Sequence, residues 1–157
     1  MTHQVMVLMT NEVHDEAMTE FTAPSPQARL RFVLRINATT SGLGGLVAAI
    51  APGRLDDILG TGQPGWVRLI GIGLVAFAAL VVVASRLDRD ELVRATPVIS
   101  LGDASWVIAS IVAIALGWFS ASGAVVMGLV GVMVGVFGVE QSLLVRQLSA
   151  RRSAAVS

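Results

Sequence analysis

The sequence contains no cysteine, no lysine and no tyrosine among its 157 residues. Without cysteine, the chain has no disulfide, no thiolate metal site and no cysteine nucleophile. Charged residues make up 14% of the chain and hydrophobic residues 54%, whereas an ordinary soluble domain is about 25% charged. The formal net charge is zero. This balance argues against a nucleic-acid partner, because binding to phosphate backbones depends on an excess of basic residues.

Residues with catalytic potential are also scarce. The two histidines, His3 and His14, lie near the N-terminus, outside the apolar part of the chain. No HExxH, GxSxG or P-loop pattern occurs. Gly71-Ile72-Gly73 is too short for a dinucleotide fingerprint and lies within an apolar run. We therefore expect a non-catalytic protein with no cofactor and no metal site.

Four long apolar runs account for much of the chain, which has a mean hydropathy of +0.75. Each is close to the roughly 20 residues that an α-helix needs to cross a bilayer. Backbone groups in lipid must be satisfied within the segment, so these runs are expected to be helices. The sequence predicts an all-α, polytopic membrane protein: a four-helix transmembrane bundle within residues 29–146. The predicted spans are 32–50, 66–84, 98–119 and 123–145.

Polar segments flank this predicted domain. Residues 1–28 are mildly acidic and end in a proline-containing stretch. They lack the basic start and longer apolar core of a secretory signal. We expect a mobile cytoplasmic tail; the alternative is a short helix that places Val5, Leu8 and Met9 against a partner. Residues 147–157 are expected to form a basic cytoplasmic tail.

The arginines are distributed unevenly between the two sides of the predicted membrane domain. Only Arg54 and Arg68 fall on one side, and all the others fall on the opposite side. Cytoplasmic loops carry the excess of basic residues. The distribution therefore predicts a multi-pass protein of the inner (plasma) membrane with both termini in the cytoplasm. The arginines on the predicted cytoplasmic side are Arg29, Arg31, Arg35, Arg86, Arg89, Arg94, Arg146, Arg151 and Arg152.

Four polar residues are expected at similar depth in the cytoplasmic half of the bundle: Arg35, Asn37, Asp103 and Glu140. Ionisable residues inside membranes are costly and often functional. One interpretation is a structural polar cluster; the other is a site for a proton, an ion or a lipid headgroup. Glu140 is close to the predicted helix end, where extension toward water or pairing with an arginine would also explain it.

Small residues recur at helical spacing in the first and fourth runs. In the first, Ser41 and Gly45 are four residues apart. In the fourth, Gly131 and Gly135 form a GxxxG pattern within a longer glycine stripe. Helices in lipid associate through such small residues, which let backbones approach. The stripe predicts a contact either within the chain or with another subunit. Its members are Ala124, Gly128, Gly131, Gly135, Gly138 and Ser142.

Four further stretches are notable: Arg35-Ile36-Asn37-Ala38 with Ser41-Gly42, then Leu55-Asp56-Asp57-Ile58-Leu59-Gly60, Gly71-Ile72-Gly73-Leu74, and Asp103 with Trp106. These motifs resemble a family of small, uncharacterised four-span bacterial membrane proteins of actinobacterial type. The family implies a membrane fold and no established activity. In size and type the chain is also similar to accessory subunits of actinobacterial lipid-import complexes.

The fourth run has two distinctive faces, the glycine stripe and the side that carries Glu140, and a free-standing bundle needs only one of them. We therefore expect a non-catalytic accessory or regulatory subunit of a larger inner-membrane complex, such as a lipid transporter. Its partners would be membrane lipids and other integral membrane subunits. The alternatives are a small oligomeric transporter or channel that uses Asp103 or Glu140, and a lipid-binding protein that maintains the cell envelope.

Overall fold

The computed structural model describes residues 24–154, which form five α-helices and no strand. Four of the helices are long and apolar enough to cross a membrane. The all-α prediction with four candidate spans is therefore confirmed, and the protein has the helical architecture of a multi-pass membrane protein. The helices are α1 (Pro26–Ile50), α2 (Pro52–Leu59), α3 (Pro64–Ala84), α4 (Arg89–Ala115) and α5 (Ala121–Ala154).

Helices extend into both segments that were predicted as tails. Helix α1 begins at Pro26, within the segment predicted as a tail, because the Ser25 side chain accepts a hydrogen bond from the Ala28 amide and caps the helix. Helix α5 continues to Ala154, so most of the predicted basic tail at 147–157 is helical. The remaining parts of both predicted tails, residues 1–23 and 155–157, lie outside the described residues.

The third predicted span, 98–119, differs from α4 at both ends. Pro97, the residue just before the predicted span, lies inside α4, which starts at Arg89 with Asp90 and Glu91 in its first turn. These acidic side chains favour a helix N-terminus through its partial positive charge. The helix ends at Ala115, just before Gly117, whose φ of +70° is a left-handed conformation that glycine adopts readily.

The helices pack as two hairpins that share one contact. Helix α1 lies along α3, α4 lies along α5, and α1 also packs on α5, whereas α3 and α4 make few contacts. Buried apolar side chains form two separate clusters. The larger contains Leu34, Val81 and Leu144, and the smaller contains Leu59 and Val67.

Arginine contacts hold one end of the bundle together. The two terminal nitrogens of Arg31 donate to the carbonyl oxygens of Ser85 and Leu87, each at 2.7 Å. Arg89 donates to the Leu148 carbonyl at 3.4 Å. These bonds place the starts of α1 and α4 and the later part of α5 beside the end of α3.

The short helix α2 closes the opposite end. Asp56 is buried, and its carboxylate accepts hydrogen bonds from the Thr61 hydroxyl and the Gln63 amide. Gly60 ends the helix at φ +69°. The Ser120 amide donates to the Leu59 carbonyl at 2.9 Å, which fixes α2 against the turn between α4 and α5.

Candidate functional site

A buried carboxylate links three of the spanning helices. Asp103, on α4, is only 2% exposed. The Asn37 side-chain amide, from α1, donates to both carboxylate oxygens, at 3.1 Å to Oδ1 and 2.9 Å to Oδ2. The Gln141 side-chain amide, from α5, donates to Oδ2 at 3.0 Å. Asn37 and Gln141 are themselves fully buried, so the three side chains form a compact polar centre in an apolar bundle.

Two serines set the orientation of the amides. The Ser41 hydroxyl donates to Asn37 Oδ1 at 3.2 Å, and the Ser100 hydroxyl donates to Gln141 Oε1 at 3.1 Å. Each amide oxygen is therefore occupied by a hydroxyl, and each NH₂ group faces the carboxylate. We call these five residues the Asp103 network. Every buried side-chain nitrogen and oxygen of the described residues has a hydrogen-bond partner.

The partners of Asp103 are neutral. No arginine side chain that the structure describes forms an ion pair with it, and its bonds all come from amides. All of the donors point at the carboxylate oxygens, an arrangement that suits an ionised carboxylate, which only accepts hydrogen bonds. The described residues therefore supply hydrogen bonds to this carboxylate but no positive charge.

The structure places the four predicted polar residues differently. Asn37 and Asp103 are in contact, but Arg35 and Glu140 are exposed and lie outside the network. Their place is taken by Gln141 and Ser100, which sequence reasoning missed. Since successive helical residues are separated by about 100°, Glu140 and Gln141 project in different directions. Gln141 lies three residues after Gly138, so its position on the glycine face was a usable signal.

Two cavities adjoin Asp103. The first, the α4–α5 groove, has a volume of about 510 Å³ and runs between those two helices. The second, the four-helix cavity, has a volume of about 520 Å³ and receives side chains from α1, α3, α4 and α5. Asp103 lines both, so this residue lies between two spaces of ligand size. Residues that line the groove include Ala104, Val107, Gly135, Gly138, Ser142 and Arg146.

The two runs of small residues have different surroundings. Gly45 lies against Gly71 of α3, and a Cβ atom built on Gly45 would be 2.8 Å from the Gly71 carbonyl oxygen. In contrast, a Cβ atom built on Gly128, Gly131 or Gly135 would meet no atom of the described residues within 4 Å. The α1–α3 contact is thus a close backbone approach within the chain. Of the glycines on the α5 stripe, only Gly138 has a neighbour among the described residues, because a Cβ atom there would lie 3.8 Å from Asp103 Cβ.

Comparison of the chain with protein-family models, with curated proteins and with solved structures finds no match. The resemblance to four-span bacterial membrane proteins therefore stays a prediction. Among residues 24–154, no group of three or more histidine, aspartate or glutamate side chains is placed to hold a metal ion.

Proposed function

We propose that the protein is a non-catalytic accessory subunit of a larger membrane complex, and that it holds a transmembrane helix of another subunit in the α4–α5 groove. One contrast carries this proposal. In the α1–α3 contact, the opposing backbone occupies the space beside Gly45 and Gly71. In contrast, the space beside Gly128, Gly131 and Gly135 is open. A glycine stripe in lipid favours helix association only where a second helix covers it.

The shape and chemistry of the groove support a helix as its occupant. Its walls combine small residues (Gly135, Gly138 and Ala104) with apolar side chains such as Val107 and Leu143. Helix association in lipid relies on van der Waals packing and on close backbone approach, both of which small residues permit. A lipid transporter as the parent complex is an expectation that rests on the resemblance alone.

Substitutions in the stripe separate docking from folding. Gly135→Leu is expected to abolish co-purification of the partner subunit, because Gly135 lines the groove and a leucine there fills space that the partner helix needs. Gly131→Leu, one turn earlier on the same stripe, is expected to weaken it. The thermal stability of the isolated chain is expected to change little, since no described atom lies within 4 Å of the new Cβ atom. Val132→Leu is the matched control, because Val132 is 68% exposed and does not line the groove. The measurement is mass determination of the complex purified in mild detergent, with a thermal unfolding scan of each variant.

Two results would contradict this proposal. One is a partner complex that survives both glycine substitutions unchanged. The other is a purified wild-type protein that contains only copies of this chain, which would favour the second candidate below.

A small oligomeric transporter or channel is the second candidate, and the buried Asp103 between two cavities favours it. Of the two acids predicted for ion coupling, Glu140 is the less suitable, because it is exposed and contacts neither the Asp103 network nor the four-helix cavity. In this case proteoliposomes that contain the chain alone would show ion or substrate flux, and Asp103→Asn would abolish it. Absence of flux in the wild type would leave the accessory role.

The proposed orientation places the arginine-rich end of the bundle in the cytoplasm. The hydrogen bonds of Arg31 and Arg89 support this orientation, because they hold the arginine-bearing helix ends together at one end of the bundle. Loops that carry an excess of basic residues generally lie in the cytoplasm. Reporter fusions after Leu87 and after Ser157 are expected to report a cytoplasmic location, and a fusion after Gly62 an external one. An external signal at Ser157 would reverse the assignment.

A further inference from the structure

We propose that the four-helix cavity is a binding site for a lipophilic organic cation, such as an ammonium carrying apolar substituents, with the Asp103 carboxylate as its counter-charge. This inference concerns a different space from the α4–α5 groove and does not depend on the docking of a partner helix.

The size and the walls of the cavity suit a small organic molecule. Its volume of about 520 Å³ lies within the roughly 300–1,000 Å³ that is typical of ligand pockets. Apolar side chains from three helices, including Ile70, Leu74, Val130 and Met133, form most of the wall. Such a wall is suited to the apolar body of a ligand and offers little to a strongly hydrated one.

Charge complementarity selects a cation. Among the described residues that line the cavity, Asp103 is the only ionisable one, and the other polar groups are neutral: the hydroxyls of Thr40, Ser41 and Ser105 and the indole N–H of Trp106. Arg146 lines only the α4–α5 groove. The amide donors of Asn37 and Gln141 stabilise the carboxylate but add no positive charge. A bound cation would supply the charge that the protein leaves uncompensated.

The number of oxygen atoms argues against a bare metal ion. The amide oxygens of Asn37 and Gln141 are directed to serine hydroxyls, so the cavity offers one carboxylate and a few hydroxyls. Hard metal cations prefer six or more oxygen ligands. An organic ammonium needs fewer, because its apolar substituents lower the cost of leaving water. A zwitterionic lipid headgroup would add a phosphate, a second anion without a partner, so a free cation is the better occupant.

Aromatic side chains complete the site. Phe77 from α3 and Trp106 from α4 both line the cavity, and aromatic rings attract organic cations through their negative faces. A Cβ atom built on Gly102 would lie 2.9 Å from Phe77 Cε2. The ring therefore occupies space that is left by the missing side chain of the residue next to Asp103. Helices α3 and α4 both contribute to the wall of the cavity and make few contacts with each other, so we place the entry of the ligand from the membrane between them.

The test is calorimetric titration of the full chain in lipid nanodiscs with benzyltrimethylammonium and with neopentylbenzene, its neutral isostere. Asp103→Asn is expected to weaken binding of the cation by about tenfold or more, since it leaves the buried cation without its counter-charge. Glu140→Gln removes the same charge from the exposed face of α5 and is expected to change the affinity by less than about twofold, because exposed charges are screened. The neutral isostere is expected to bind weakly, and equally to wild type and Asp103→Asn.

Two further variants keep the test decisive if Asp103→Asn does not fold. Phe77→Leu and Trp106→Leu retain the carboxylate, and each is expected to weaken binding of the cation by about threefold, the size of one cation–aromatic contact. Affinity for the neutral isostere is expected to change less. Equal binding of the cation and the isostere to the wild type would overturn the proposal, as would equal losses in Asp103→Asn and Glu140→Gln. Absence of cation binding to the wild type would overturn it as well.

Discussion

Substitution of Gly71 by alanine is expected to destabilise the protein strongly. A Cβ atom at this position would lie 2.6 Å from the Ala49 backbone nitrogen and 2.7 Å from the Gly45 carbonyl oxygen. Backbone atoms of a helix cannot move individually, so α1 and α3 would have to separate along their contact. Overpacking of a filled interior costs about 1–3 kcal/mol and sometimes more, and we expect an effect at the upper end of this range. Gly45→Ala is expected to have a similar effect.

Glycines on the same two helices provide matched controls. A Cβ atom built on Gly44 or Gly73 would meet no described atom within 4 Å. Gly44→Ala and Gly73→Ala therefore introduce the same methyl group without a clash. They are expected to leave stability unchanged or raise it slightly, because alanine favours helices by up to about 1 kcal/mol over glycine. Denaturant titration in detergent measures all four variants. Equal stability of Gly71→Ala and Gly73→Ala would show that the α1–α3 contact is not closely packed.

Removal of either amide donor from Asp103 is expected to produce the second large effect. In Gln141→Leu and Asn37→Leu, a carboxylate that is 2% exposed loses donors that no other described side chain replaces. A buried polar group left without its partner costs about 1–3 kcal/mol, and a charged group costs more. Since Asn37 contacts both carboxylate oxygens and Gln141 only one, Asn37→Leu is expected to have the greater effect.

The triple variant that replaces Asn37, Asp103 and Gln141 by leucine separates the effect of lost hydrogen bonds from the effect of altered packing. When every member of a buried polar group becomes apolar, no unsatisfied atom remains, and stability is expected to recover much of the loss. Glu140→Leu is the surface control and is expected to be near neutral, because Glu140 is exposed. The unfolding free energies of the single and triple variants provide the measurement. A triple variant whose loss equals the sum of the two single losses would contradict the network.

The sequence by itself determined the helical architecture. Runs such as 66–84 are too long and too apolar for a soluble strand or loop, and lipid leaves an α-helix as the way to satisfy their backbone groups. The spans were therefore recognisable without tertiary information. The ends of the helices were harder to predict. Helix α4 starts nine residues before the predicted span, at Arg89, where acidic residues in the first turn and packing against α5 stabilise the additional turns.

The sequence also identified Asn37 and Asp103 as polar residues at similar depth, and these two are in direct contact. It did not distinguish Glu140 from Gln141, although they are adjacent. Which of them faces Asp103 depends on the rotation of α5 about its axis, and the packing of α5 against α1 and α4 sets that rotation. The charged Glu140 was predicted to belong to the polar cluster, but the neutral Gln141 is the residue that is buried.

Tertiary structure alone decided which small residues are closely packed. Gly45 and the stripe on α5 have the same kind of spacing in the sequence, yet only Gly45 meets an opposing backbone, at Gly71. Spacing along one helix shows that a close approach is sterically allowed, but a contact also requires a second helix at the right position and angle. The position of the second helix depends on contacts between residues far apart in the chain, and a local sequence pattern does not predict such contacts.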